Sequence, residues 1–154
     1  MNLEISVEYD KWNEVLADLS LVQSCVAAVF AEASAMNNKD DDKEICFLFT
    51  SDDEIRVLNR TYRAVDKPTN VLSFPVSSEG VEDGVLGSIV LAFETIQREA
   101  VGQGKPLVDH LRHLIVHGML HLIGYDHLDD AEADQMEALE VKILQKFGVK
   151  NPYE

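Results

Sequence analysis

The sequence predicts an α+β fold, a small mixed β-sheet of about four strands packed with about five helices. Three observations carry that expectation. Short alternating or wholly apolar runs of strand length lie in the first two thirds of the chain. Helical periodicities separate and then follow them. Glycine, proline and N-cap residues punctuate the boundaries, and no repeat or linker divides the 154 residues. The element order is strand, helix, strand, helix, strand, strand and then helices, which is an α+β pattern.

Each element has its own warrant. Leu3, Ile5 and Val7 alternate with polar residues and predict a first strand. Trp12, Val15, Leu16, Leu19, Val22, Val26, Val29, Phe30 and Ala33 recur at helical spacing, which predicts one long amphipathic helix over 12–35. Residues 37–43 are polar and charged, a surface loop. Residues 45–49 are apolar on both faces and predict an interior strand. Ser51 or Asp52 caps a helix running to about Tyr62, with Ile55, Leu58 and Asn59 facing inward. Lys67-Pro68-Thr69 breaks the chain. Residues 71–76 and 86–93 are two further strands joined by a hairpin loop over 77–84. Residues 94–102 form a short helix. Pro106 opens the next one, which runs to Ile123 and stops at Gly124. Asp129 and Glu132 have the form of a capping box for the last helix, whose Met136, Leu139, Ile143, Leu144 and Phe147 face inward and which ends at Gly148.

Composition narrows the function classes. No apolar run approaches the ~18 residues of a membrane span, and residues 1–9 lack the basic-then-apolar pattern of a signal peptide. The two cysteines, Cys25 and Cys46, have no metal-type spacing and read as buried thiols of a reducing, cytoplasmic compartment. The formal net charge is −15, which opposes broad, non-specific nucleic-acid binding. It leaves room for a local basic groove. Arg56, Arg60, Arg63 and Lys67 lie close together and are a candidate for one, but spacing alone favours a solvated helix face balanced by Asp52, Asp53 and Glu54.

All five histidines fall between residues 110 and 127. His110, His113, His117 and His121 are spaced by three, four and four, so they share one stripe of a helix whose opposite face carries Leu111, Ile115, Gly118 and Leu122. Buried imidazoles need partners. The i, i+4 pair His117/His121 aims both rings at one point, Gly124 lets the chain reverse, and His127 swings back as a third ligand. Three nitrogen ligands leave one tetrahedral position open, the mark of a catalytic zinc site. One zinc ion is the expected cofactor, although three imidazoles also suit nickel, copper or cobalt. His110 and His113, nearer the helix start, read as supporting or surface residues. Residues 1–154 are thus expected to form a single metal-dependent hydrolase domain.

The spacing His117-x-x-x-His121-x-x-Gly124-x-x-His127 is similar to the metzincin peptidase pattern, so the helix is a metzincin-like metal helix with one departure. Where the peptidase has its general-base glutamate, this chain has Gly118, which has no group to take a proton. Ordinary peptide hydrolysis is therefore disfavoured unless another carboxylate such as Asp126 substitutes.

The run His117-Gly-Met-Leu-His121-Leu-Ile-Gly-Tyr-Asp-His127 resembles the signature of the YbeY family of bacterial rRNA maturation factors. So does Asn59-Arg-Thr-Tyr-Arg63-Ala-Val-Asp-Lys-Pro-Thr-Asn-Val-Leu-Ser-Phe-Pro75, and the final Asn151-Pro-Tyr153 resembles the family's ending. The likeness spans residues 49–153. Asn70 and Ser88 stand where the family commonly has Asp. The resemblance implies a small α+β sandwich and a metal-dependent endoribonuclease acting on single-stranded RNA. It also implies maturation of the 3′ end of 16S, small-subunit rRNA, and ribosome quality control, with the small ribosomal subunit or its proteins as partners. It makes Arg63 the functional arginine beside the metal, with Arg63 and His117 as the catalytic pair. Two other readings stay open from the residues: a different zinc-dependent hydrolase of metallopeptidase type, and a non-catalytic ribosome-assembly factor with a structural metal. No heptad seam remains, so a monomer is expected.

Overall fold

The computed structural model describes residues 2–33, 44–75, 85–125 and 129–154. β1 (Asn2–Val7) leads through a short 3-10 turn (Asp10–Asn13) and α1 (Ser20–Ala33) to β2 (Glu44–Thr50). Then follow α2 (Asp52–Arg63), β3 (Val71–Pro75), β4 (Val85–Ala92), α3 (Phe93–Gly102), α4 (Leu107–Leu122) and α5 (Asp130–Gln145). Among the described residues, the α+β class, four strands and five α-helices match the expectation from sequence. The predicted surface loop over 37–43 and the hairpin loop over 77–84 lie outside the described residues.

One helix departs from the expectation. Residues 12–35 are not one helix: the chain makes a 3-10 turn around Trp12, and α1 starts only at Ser20. Trp12 has a tertiary reason to stay there. Its indole N–H donates to the Thr50 carbonyl at 2.8 Å, and its ring lies edge-on to Phe49 and Phe93, with centroids 5.1 Å away in each case. The Asp18 carboxylate accepts from the Ser20 N–H at 2.9 Å, a local cap that starts α1 eight residues late. Helical spacing continued through a segment that a buried indole pins elsewhere.

The sheet order is β1-β2-β4-β3, with β1/β2 and β2/β4 parallel and β3/β4 antiparallel. Register assigns each residue to a face. Ile5, Phe47 and Ile89 align across three strands, as do Val7, Phe49 and Leu91, and this face carries the main core under α1, α4 and α5. The opposite face carries Glu4, Cys46, Ser88 and Phe74 in one row and Ser6, Leu48, Val90 and Leu72 in the next. There α2 covers only one side, packing Ile55 on Leu72, Val90 and Ala92. Cys25 is buried as expected. Cys46 is not: it lies on the partly covered face beside Glu4, because period-2 alternation puts it opposite Ile45 and Phe47.

Two glycines let α4 lie against the sheet. A Cβ on Gly87 would stand 2.5 Å from the Phe74 carbonyl oxygen and 2.6 Å from Leu122 Cδ1, so the close approach of β3 and the end of α4 to β4 at this point requires a glycine. Gly118 faces β3 and β4, and its carbonyl accepts from the Ser73 hydroxyl at 3.0 Å. Gly124, at φ +109°, turns the chain beyond α4.

Candidate metal centre and cleft

The stripe of four histidines on α4 holds as predicted, and its members do different things. His110 is buried, and its Nε2 lies 2.9 Å from Glu99 Oε1 on α3. Burial lowers its pKa, and the Glu99 carboxylate pulls the other way. Glu99 also accepts from the Asn70 amide at 2.9 Å, while Asn70 Oδ1 accepts from the Val71 N–H at 2.6 Å. Asn70 is thus an amide that can donate to a carboxylate, which an aspartate there could not do without a like-charge clash. His110, expected to be a supporting or surface residue, is buried and ties α4 to α3 and to the start of β3.

The centre of the stripe meets α5. Met136, Glu140, Ile143 and Leu144 recur at i, i+4, i+7 and i+8 and are all buried, and Glu140 is the charged member of that inward stripe. Its carboxylate is 0% exposed. Oε1 lies 2.6 Å from His117 Nδ1, Oε2 lies 2.9 Å from His113 Nε2, and Oε2 accepts from the Tyr153 hydroxyl at 2.5 Å. Burial alone would raise the Glu140 pKa, but the bonds from His113, His117 and Tyr153 outweigh it and hold the carboxyl at about 2. Sequence reading missed Glu140. The signal was there: an acidic residue on an apolar helical stripe, four residues after Met136 and three before Ile143.

An anionic Glu140 fixes the His117 tautomer. With Nδ1–H donated to the carboxylate, the Nε2 lone pair is directed at the other end of the ring. There His117 Nε2 and His121 Nε2 approach to 3.1 Å. Two nitrogens held at about 2.0–2.1 Å from one tetrahedral zinc stand about 3.3–3.4 Å apart, so the observed pair is close to an edge of that tetrahedron. With His117 Nε2 an acceptor, His121 Nε2–H donates across the contact, and an ion would take both lone pairs in place of that proton.

A second donor set, His113, His117 and Glu140, also clusters tightly enough to hold an ion. Its atoms are already engaged with one another by hydrogen bonds, and Glu140 is sealed from solvent. The His117/His121 side opens instead on a cleft of about 680 Å³, whose walls include Arg63, Asn70, Ser73, Tyr125 and Tyr153. The donor chemistry of the cleft side fits zinc, and Glu140 fits the carboxylate that orients a ligand imidazole from behind. His127, the expected third ligand, and Asp126 lie outside the described residues.

Arg63 enters the same cleft from the end of α2. Ala64, at φ 58°, reverses the chain there, and Arg63 Nη2 donates to the Ser73 carbonyl at 3.4 Å. Ser73 in turn bonds α4 through Gly118, so one short chain of contacts sets the arginine against the histidine helix. The rest of the basic run behaves differently. Arg56 donates to Asp66 at 2.9 and 3.3 Å, and Arg60 approaches the same carboxylate at 3.8 Å. The expected balance by Asp52 is not found: Asp52 pairs with Arg98 at 3.0 Å and accepts from Thr95.

Comparison with known proteins places these features in context. Residues 6–148 match the family model described as Endoribonuclease YbeY. The chain is 44% identical to Endoribonuclease YbeY of Sinorhizobium fredii, an alignment covering 99% of this chain and 92% of that protein. It is likewise 44% identical to Endoribonuclease YbeY of Methylocella silvestris, covering 99% and 85%. With the protein of that name from a Bradyrhizobium species it shares 50% identity, covering 82% of this chain and 78% of the relative. The solution structure of TM1509 from Thermotoga maritima superposes with a TM-score of 0.64 at 27% identity, covering 94% of this chain and 87% of that one.

Proposed function

This chain belongs to the YbeY endoribonuclease family, and from that premise we propose that it is a zinc-dependent, single-strand-specific endoribonuclease that matures the 3′ end of 16S rRNA and serves ribosome quality control. The observation that carries the reading is the cleft itself, which brings an arginine from α2 beside an imidazole pair on α4. His117, His121 and His127 would hold the ion, and Arg63 with His117 would do the catalytic work.

When bound, such an ion acts as a Lewis acid on a phosphoryl oxygen. The chain's own groups supply the rest. Arg63 spends one N–H on a long 3.4 Å bond to Ser73, so most of the guanidinium fork is left to clamp a phosphate and stabilise charge that develops on it. Glu140 holds the Nδ1 proton of His117 at 2.6 Å and keeps the ring from turning. Position 118 contributes space only. A Cβ there already meets Ser73 Oγ at 3.2 Å and Ile89 Cγ2 at 3.3 Å, so any side chain must push its neighbours back, and the glycine itself has no group to serve as a peptidase-like base.

On this reading residues 1–154 act as one metal-dependent hydrolase domain. The protein works in the cytoplasm as a monomer, on single-stranded rRNA of the small ribosomal subunit and among its proteins. Among the described residues no helix is long and apolar enough to cross a membrane. The test is cleavage of a single-stranded rRNA fragment by purified protein with and without chelator. Chelator-sensitive cleavage that His117→Ala and Arg63→Ala both abolish is expected. Cleavage that survives chelator, or that is the same in His117→Ala, would overturn the reading.

A further inference from the structure

The C-terminal segment has a built geometry that the cleft chemistry described above does not use. Gly148, at φ +70°, turns the chain after α5, and Val149 is buried and donates its N–H to the Leu144 carbonyl at 3.1 Å. Asn151 Oδ1 then accepts from the Tyr153 N–H at 2.8 Å, an Asx turn with Pro152 at its corner. The turn returns Tyr153 to the gap between α4 and α5. Its hydroxyl donates to Glu140 Oε2, its ring stands edge-on to His113 with centroids 5.7 Å apart at 86°, and it walls the cleft that holds His117 and His121.

We propose that Tyr153 is a positioning residue of the site, and that the tail Asn151-Pro152-Tyr153 exists to deliver it. The Glu140 carboxylate could pivot about its terminal torsion, a soft, two-fold one. His117 holds Oε1 only. Oε2 is held from two directions, by His113 and by Tyr153, and the tyrosine is the donor that comes from outside α4. Without the hydroxyl, Oε2 keeps one partner on the same helix as His117, and the carboxylate can rock with that helix. With the hydroxyl, three bonds from two independent elements fix its plane, and so fix the direction of His117 Nε2. A partner that orients a ligand from behind alters metal affinity by about 10- to 100-fold. Tyr153 acts one bond further out, so the lower end of that range applies.

The inference rests on the reading of His117 as a ligand, and the experiment separates the two. Tyr153→Phe in the full-length chain keeps the ring and removes the hydroxyl. Three quantities are measured: zinc affinity by competition with a chromophoric chelator, solvent exchange of the His117 Nδ1–H by NMR on the metal-free protein, and the melting temperature of the metal-free protein. The expected result is zinc affinity about 10-fold weaker and markedly faster exchange of the His117 ring proton, with a metal-free melting temperature lowered by a few degrees because a bond to a buried carboxylate is lost. Unchanged affinity and unchanged exchange in Tyr153→Phe would overturn the proposal. So would a lowered melting temperature with unaltered His117 exchange, because that is a merely structural role. His117→Ala is the control on the premise. If it binds zinc as tightly as the parent, the ligand reading fails on its own, and the metal-free exchange measurement still decides whether Tyr153 positions His117.

Discussion

Gly118→Ala tests why the peptidase-base position is a glycine. Two effects oppose each other. Alanine favours a helix interior over glycine by about 1 kcal/mol. Against that, the new methyl would stand 3.2 Å from Ser73 Oγ, 3.3 Å from Ile89 Cγ2 and 3.4 Å from Val71 Cγ2. Overpacking of this kind costs about 1–3 kcal/mol where neighbours cannot retreat. Here they are restrained. Ile89 is fully buried, and Ser73 Oγ is tied to the Gly118 carbonyl itself at 3.0 Å. The packing cost therefore belongs in the upper half of its range, and the net result is a destabilisation of about 1–2 kcal/mol. For a chain of this size that is a fall in melting temperature of about 3–6 °C. The assay is thermal and urea unfolding of the metal-free protein, so that metal binding does not confound it. Adding Ser73→Ala should recover part of the loss, giving a coupling of at least about 0.5 kcal/mol between touching residues. An unchanged or raised melting temperature in Gly118→Ala would show that the sheet yields at this point, and the steric account of the missing glutamate would be wrong.

Other outcomes follow from the same structure. Arg63→Ala should reduce RNA cleavage by about 100-fold or more, as loss of a charge-stabilising donor does, while leaving stability within about 0.5 kcal/mol, because its hydrogen bond is long and exposed; a loss of cleavage matched by a loss of folding would refute the role. Burial pushes the Cys25 thiol up to about 12, so a thiol reagent should modify the half-exposed Cys46 and reach Cys25 only after unfolding, which mass spectrometry can read. His110 has its pKa lowered by burial despite Glu99, with Lys105 also lowering it, so the unfolded chain takes up its proton first on acidification. The stability His110 confers is complete above its unfolded value of 6.5 and is lost as pH falls through the lower folded value; His110→Gln should flatten the urea midpoint between about pH 7.5 and 5.5, and an unflattened profile would show that Glu99 compensates fully.

Much of the molecule was legible in the chain because it is encoded by neighbours in sequence. The i, i+4 spacing of His117 and His121, the stop at Gly124, the Ser51 and Asp129 caps and the alternation of β1 all depend on local geometry, and the structure repeats them. Family resemblance added Arg63, which composition left as one of four cations on a solvated face. What the sequence could not supply were the meetings between elements distant in sequence. Trp12 breaks a helical pattern because its indole finds Thr50, thirty-eight residues away. Cys46 is half-exposed because α2 covers only one side of the second sheet face. Arg63 differs from Arg56 and Arg60 only because Asp66 neutralises those two and not it. Above all, Glu140 and Tyr153 reach the histidine stripe only through the docking of α5 and the tail on α4. By itself the sequence determined that His117 and His121 share one face of a helix, since spacing along a helix decides where two side chains point. The tertiary structure decided what orients them and what faces them, because the buried Glu140 carboxylate and the Arg63 guanidinium reach the cleft across contacts that no periodicity along the chain records.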